Sequence, residues 1–190
     1  MGEGREDMYT TEVRVKALPV KEWLSRYCFP DRFRDACCAC PDYERNWSCP
    51  PGVPPAAEFL AGYRTVYLIG VKIVYDRAQR DRAMASPEAA DQVREASYGV
   101  VKKALLESLL QLERAVPGAC TVAAGRCEQC ETCSRIDGQP CRRPERLRYS
   151  FSAFRFDLTA IARDQLGLEL LWAGEGLPEY NVAVAAFVTR

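Results

Sequence analysis

The chain contains no histidine, and this absence excludes several kinds of functional site. Without imidazole there is no mixed cysteine–histidine zinc finger, no histidine-ligated catalytic zinc and no Rieske centre. Serine and cysteine triads that use imidazole as their base are excluded as well. Proton chemistry would have to use carboxylates, tyrosine, lysine, thiols or water. Lys102 and Lys103 are expected to be solvated on a long helix, so the sequence indicates no catalytic base and leaves enzymatic activity undecided.

Long apolar runs and an excess of one charge are also missing. Lys and Arg together number 26, as do Asp and Glu, so no overall field attracts the chain to nucleic acid. No stretch of 18 or more apolar residues is present, which argues against a membrane span. The charged segment 1–17 lacks the apolar core of a signal peptide. These features predict a cytoplasmic protein that binds neither nucleic acid nor membrane.

Cysteine, in contrast, is abundant, and its ten residues fall into two groups of five. In a reducing compartment, clustered thiols bind metal more often than they form disulfides. We therefore predict two metal-binding loops, the first cysteine loop at residues 28–52 and the second cysteine loop at residues 120–148. Both are assigned to a single cysteine-rich domain over residues 1–190.

The second cysteine loop contains Cys127, Cys130 and Cys133 in a C-x2-C-x2-C pattern, and Cys141 follows. Two consecutive two-residue gaps deliver three thiolates from one tight turn of chain. This spacing suits an iron–sulfur cubane, which exposes several iron corners, and resembles the ferredoxin pattern for a [4Fe-4S] cluster. The alternatives are a four-cysteine zinc knot and, in an oxidising compartment, disulfides.

The first cysteine loop contains Cys37, Cys40 and Cys49 in a C-x2-C-x8-C pattern. Proline follows Cys40 and Cys49 and restricts the backbone there. Three ligands leave a fourth position open, either for substrate or for another cysteine. The cysteines considered for that fourth position are Cys38, Cys28 and Cys120.

Four arginines follow the last cysteine of the second cysteine loop. Together with Glu145 they give residues 142–148 a net charge of +3. Such cations would offset the negative charge of a thiolate-ligated cluster. They are also candidates to dock an acidic redox partner or a small anionic substrate, or they form a solvated face. The four residues are Arg142, Arg143, Arg146 and Arg148.

The periodicity of apolar residues predicts an α+β fold. Its mixed sheet should carry helices on one face and both cysteine loops at one end. Strands are expected over residues 9–16, 64–75, 119–124, 168–172 and 181–188, with a turn containing Gly174 before the last. Helices are expected over residues 19–27, from Ser86 to Val116, and from a Ser152 cap to Gly167. Residues 37–57 are expected to form a loop.

Several segments resemble a known family. "CPDYERNWSCPPG" is similar to its C-P-x-Y-x-x-x-W-x-C-P-P stretch, and "AGRCEQCETC" to its G-x-C-x-x-C-x-x-C loop. "CRRPERLRYSFSAFRFDL" is similar to its C-R-x-P-E-x-x-R-x-S-x-E-A-x-G-x-D segment. The family is the predicted metal-binding protein family, domain of unknown function 2284. The resemblance covers residues 30–188 and implies bound metal of the iron–sulfur type, without a settled activity.

One segment departs from this family pattern. Where the family has Glu-Ala-x-Gly, this chain has Ser152 to Arg155, although Asp157 remains. If an acidic side chain at that site serves the family, its role is lost or moved here.

Three functions are compatible with these observations. The first is electron transfer or redox chemistry by one or two [4Fe-4S] clusters. The second is an enzyme in which the three-cysteine cluster keeps an open iron for substrate. The third is a zinc-braced interaction protein without catalytic activity.

Overall fold

The computed structural model describes residues 9–172 and 176–190, in which four antiparallel strands form one sheet. The strands are β1 (Tyr9–Pro19), β2 (Thr65–Tyr75), β3 (Cys120–Val122) and β4 (Tyr180–Thr189). Their spatial order is β1-β2-β4-β3, so β1 and β3 lie at opposite edges. The α+β class is confirmed, but the sheet is not mixed, because each neighbouring pair of these strands is antiparallel.

Seven α-helices surround the sheet in the described ranges. They are α1 (Val20–Tyr27), α2 (Arg34–Cys38), α3 (Ala56–Phe59), α4 (Arg77–Ala83), α5 (Pro87–Arg94), α6 (Val100–Ala115) and α7 (Leu158–Leu166). A π-helical stretch, Glu95–Gly99, joins α5 to α6, and short 3-10 turns occur at Ser134–Asp137 and Pro144–Arg146. None of the helices described is long and apolar enough to cross a membrane.

Helices cover both faces of the sheet, so the expectation of a single covered face is wrong. On β4, Val184 and Ala186 pack in a core with side chains of α1 and α7. Their neighbours Ala183 and Ala185 pack on the other face with side chains of α5 and α6. This burial explains the continuous apolar run of β4, because a strand that is buried on both faces does not need to alternate apolar and polar residues.

The expected strand at residues 168–172 does not form. Leu168 is buried on the face of β2, directly over Gly70. A Cβ at Gly70 would lie 2.9 Å from Cδ1 of both Leu166 and Leu168, so the absent side chain makes room for this close approach. The apolar residues of the segment therefore cover the sheet instead of extending it. The expected turn residue Gly174 lies outside the described ranges.

The helix after the second cysteine loop begins later than expected. Its N-cap is Asp157, whose carboxylate accepts a hydrogen bond from the Ala160 backbone N–H at 3.0 Å, and not Ser152. The preceding residues form turns that end at Arg155, whose positive φ of 61° is incompatible with a continuing helix. The C-terminal cap is confirmed, since Gly167 adopts a left-handed conformation with φ of 63°.

The helix predicted from Ser86 is confirmed as α5, the π-helical stretch and α6. The Ser86 hydroxyl accepts a hydrogen bond from the Ala89 N–H at 3.1 Å. Helix α4 was not predicted, because its sequence RAQRDRA has no apolar stripe. Its start is nevertheless capped by Asp76, which accepts from the Gln79 N–H at 2.7 Å.

An aromatic cluster fastens α1 to the chain that leaves the second cysteine loop. Trp23 is fully buried and stacks on Phe156 with ring centroids 4.1 Å apart. Its edge contacts Phe151 at 5.6 Å. The cluster therefore holds residues 151–156 against α1 and positions the segment that follows the cysteines.

Replacing Trp23 tests how much the aromatic cluster contributes to the stability of the fold. Trp23→Ala should cost about 3–5 kcal/mol, since a large buried aromatic side chain is lost. In a chain of this size the thermal midpoint should fall by roughly 10 °C. Trp172→Ala is the matched control, because Trp172 is 79% exposed and its loss should leave the midpoint almost unchanged. If circular dichroism gave equal thermal midpoints for the two variants, the stabilising role of the aromatic cluster would be contradicted.

Candidate metal centre

Four of the five cysteines of the second cysteine loop line one cavity of about 740 Å³, namely Cys127, Cys130, Cys133 and Cys141. Burial raises the pKa of the Cys127 thiol, a hydrogen bond from the Gln129 backbone opposes the rise, and neighbouring Cys141, Cys130 and Cys133 add to it. The effect of these three cysteines on the pKa of Cys127 indicates that the four thiols lie close together, because such an effect acts only at short range. The structure thus brings all four predicted ligands together as free thiols.

Three cysteines of the first cysteine loop line a separate cavity of about 330 Å³, namely Cys37, Cys40 and Cys49. Burial raises the pKa of Cys49, the hydroxyl of Ser48 lowers it, and Asp42, Cys40 and Cys37 raise it further. The Cys37 thiol also contacts the Ser152 carbonyl, with Sγ 3.6 Å from the oxygen. These three thiols therefore form a second set beside the first.

None of the three candidates for a fourth thiol lines this smaller cavity. Cys38 is exposed, and its hydrogen bond with Tyr43 is the largest cause of the raised pKa of that tyrosine. Cys28 points to the Phe154 carbonyl, with its Sγ 3.4 Å from the oxygen. Cys120 contacts the Thr121 carbonyl at 3.7 Å and belongs to the rim of the core. The first set therefore consists of three thiols.

In both sets the side chains that could bind metal are spread apart. In residues 9–172 and 176–190, no three cysteine, aspartate or glutamate side chains converge closely enough to hold a single metal ion. One zinc ion binds thiolates at about 2.3 Å, which requires close convergence. A cubane cluster places its ligand sulfurs farther apart, because each thiolate binds a different iron. In the part of the chain that the structure describes, the thiols therefore surround the two cavities without gathering on one point.

Direct hydrogen bonds fasten the two cysteine loops to one another. The amide of Asn46 donates to the Cys127 carbonyl at 2.9 Å. The Cys127 backbone N–H donates to the Ser48 hydroxyl at 2.8 Å. Asn46 and Ser48 are both buried, and the Ser48 hydroxyl in turn donates to the Asn46 side-chain oxygen at 2.9 Å. Cys127 of the second set is thereby fixed by residues that lie between Cys40 and Cys49 of the first set.

Arg135 supplies the second connection between the loops. Its guanidinium donates to the carbonyls of Asn46 at 2.8 Å and Cys49 at 2.7 Å, and it also contacts the Pro51 carbonyl. It also lies over the ring of Trp47, 5.0 Å from the centroid. Trp47 itself donates to the Gln139 carbonyl at 3.0 Å, so this tryptophan anchors one loop on the other.

A chain of alternating charges separates the two cavities. Arg126 pairs with Asp42 at 2.8 Å and lies 3.7 Å from Glu128, which pairs with Lys102 at 2.8 Å. Asp42, Arg126 and Glu128 line both cavities. The Lys102 side chain is 16% exposed, so its expected solvation is wrong. The sequence carries no local signal for this network, because Asp42 and Arg126 are 84 positions apart.

The four arginines of residues 142–148 divide into two pairs. Arg146 binds Glu107, and Arg148 binds Glu113, so both attach the loop to α6. Arg142 donates to the Thr132 carbonyl at 3.1 Å, and Arg143 is exposed. Both residues of this second pair line the cavity of the four thiols.

A chain without histidine that gathers thiols around two cavities has the donor groups of a metal-binding protein. The chain belongs to the family described as predicted metal-binding protein (DUF2284), whose sequence profile matches residues 16–186. The family resemblance seen in the cysteine loops is thereby confirmed. No curated protein and no solved structure is significantly similar to the chain.

Removing the Arg135 side chain tests the docking of the loops. Arg135→Ala leaves several carbonyls without their charged donor and should cost about 2 kcal/mol. The thermal midpoint should then fall by about 4–8 °C. Arg143→Ala is the control with the same change at an exposed position, where the effect should stay within about 0.5 kcal/mol. Docking through Arg135 would be refuted if the two variants melted at the same temperature.

Proposed function

We propose that the chain is an iron–sulfur protein that holds one [4Fe-4S] cluster on each cysteine loop and transfers electrons. One observation carries the proposal, namely that two separate sets of thiols lie side by side on loops that hydrogen-bond to one another. A bound cluster supplies one-electron redox chemistry. Cys127, Cys130, Cys133 and Cys141 would hold one cluster, and Cys37, Cys40 and Cys49 the other.

The spacing of the thiols supports iron–sulfur over zinc in this chain. Three cysteines of the second set fall within seven consecutive residues, and neither set converges on one point. A structural zinc site would instead need four ligands in a closed tetrahedron. The reducing environment of the cytoplasm would keep the ten thiols available for such ligation.

The residues around the thiols would tune the cluster environment. Arg126 brings positive charge to both cavities and Lys102 to the smaller one, and Asp42 and Glu128 compensate it. Paired charges of this kind limit the net field, so hydrogen bonds and burial would contribute more to the reduction potential than excess cations. Because the two cavities share this wall, electrons would pass between neighbouring sites across a short distance.

The exposed mouth of the larger cavity would receive an acidic redox partner or a small anion. Arg142, Arg143 and Lys103 line that cavity, whereas Arg146 and Arg148 are engaged with helix α6. Charges at the rim of an interface mainly increase the rate of association. We therefore place the proposed partner surface at Arg142 and Arg143.

A second candidate function, an enzyme with an open iron, is favoured by the three-thiol set. Cys37, Cys40 and Cys49 face a cavity of about 330 Å³ that also contains Lys102 and Arg126. A cluster held by three thiolates leaves one iron without a protein sulfur, and that iron can act as a Lewis acid. The cavity has room for a small molecule at this position.

Cysteine substitutions test the ligand assignment. After anaerobic purification, Cys133→Ser and Cys37→Ser should each lower the iron content by about four atoms per chain, the size of one cluster. Cys120→Ser is the matched control and should retain full iron, because its thiol contacts a carbonyl at the core rim. Equal iron loss in the control, or colourless protein with stoichiometric zinc, would reject the proposal.

Cyanide binding distinguishes the open iron from a fully ligated cluster. The reduced wild-type protein should change its low-temperature paramagnetic resonance spectrum when cyanide is added. The change should persist in Cys133→Ser and be absent in Cys37→Ser, because only the first cysteine loop offers an open position. An unchanged wild-type spectrum would reject the enzymatic candidate and leave electron transfer in place.

A further inference from the structure

Strand β1 presents a free edge of the sheet. It pairs with β2 along its whole length, and no strand in residues 9–172 or 176–190 pairs with its outer side. Residues 13–17 are all exposed. A long edge of this kind exposes unpaired N–H and C=O groups, which favours pairing with another strand.

The exposed side chains of this edge include an apolar group on one face. Val13 is 59% exposed and Val15 is 61% exposed, and both are on the same face because successive residues alternate. Tyr67 of β2 lies opposite Ala17 on that face and is 40% exposed. In contrast, Val71, which pairs with Val13, is buried. The covering helices thus protect the centre of this face and leave its β1 margin open.

The order of residues on β1 is complementary to itself in one antiparallel register. If Val13 of one copy faces Val13 of another, then Glu12 of each copy faces Arg14 of the other, and Thr11 faces Val15. Both opposite-charge pairs form at once, on the face that does not carry the valines. Cross-strand pairs of opposite charge stabilise a sheet, and like charges directly opposite destabilise it.

Neighbouring registers are less favourable. A register centred on Glu12 would place two glutamates opposite each other. One centred on Arg14 would pair Glu12 with Lys16 on both sides, but it would place two arginines opposite each other at the axis itself. A register centred on Val15 would place Arg14 opposite Lys16. Within a single copy Glu12 and Arg14 already contact one another along the strand, so both charged side chains lie on the same face and are positioned for exchange.

We propose that two copies of this chain associate through β1 about a two-fold axis at Val13. The result is a continuous sheet with four strands from each copy. Such an interface uses the same surface on both copies, as a two-fold dimer requires. The second cysteine loop follows β3 at the opposite edge, so association leaves the candidate metal centre open to solvent.

A charge exchange tests the register. Glu12→Arg and Arg14→Glu, made singly, each place like charges opposite each other at both sides of the axis. The double variant Glu12→Arg/Arg14→Glu restores two opposite-charge pairs with the signs exchanged. The mass of each protein is measured by sedimentation equilibrium over a range of chain concentrations. Circular dichroism and iron content confirm that the variants retain the wild-type fold.

The wild type and the double variant should have twice the chain mass of 21.3 kDa. Both single variants should show a lower mass that approaches one chain on dilution. A wild type that remains at one chain mass at every concentration would overturn the proposal. Single variants that dimerise as well as the wild type, or a double variant that stays monomeric, would overturn it equally. Because the cysteine variants change iron content and not this edge, failure here is separate from failure of the proposed function.

Discussion

The hydrogen bonds between Asn46, Ser48 and Cys127 are the interaction on which the arrangement of the thiols depends. They join a segment between Cys40 and Cys49 to Cys127 of the other set, so neither cysteine loop is positioned alone. All the polar groups involved are buried or half-buried, where a lost partner is costly. Arg135 extends the same connection through three carbonyls of the first cysteine loop.

The scaffold supports this connection from the sheet outward. The apolar run of β4 is covered on both faces of the sheet. The short edge strand β3 pairs with β4, and the chain passes from β3 into the cysteines of the second cysteine loop. Ion pairs from Arg146 and Arg148 then return the loop to α6, and the aromatic cluster of Trp23 fixes the residues that follow. The cysteines of the second cysteine loop are thus held by rigid elements on both sides.

The sequence grouped the cysteines that line each cavity, because their spacing is a short-range property of the chain. Their role as metal ligands stays a prediction. The start of the long helix at Ser86 was equally readable, since a hydroxyl followed by proline has a direct geometric meaning. The sequence did not reveal the pairing of Asp42 with Arg126 or the contact of Leu168 over Gly70. Both depend on contacts between distant segments. The cap at Asp157 was missed because Ser152 offered an equally good local signal, and the positive φ of Arg155 decided between them.

The content of iron and inorganic sulfide in anaerobically purified protein tests the central claim most directly. Two neighbouring cubane clusters require about eight atoms of each per chain. After full reduction, the paramagnetic resonance spectrum should show magnetic coupling between the two clusters, because the proposal places them side by side on the cysteine loops. Stoichiometric zinc without sulfide would contradict the account, as would a single uncoupled cluster with about four iron atoms per chain.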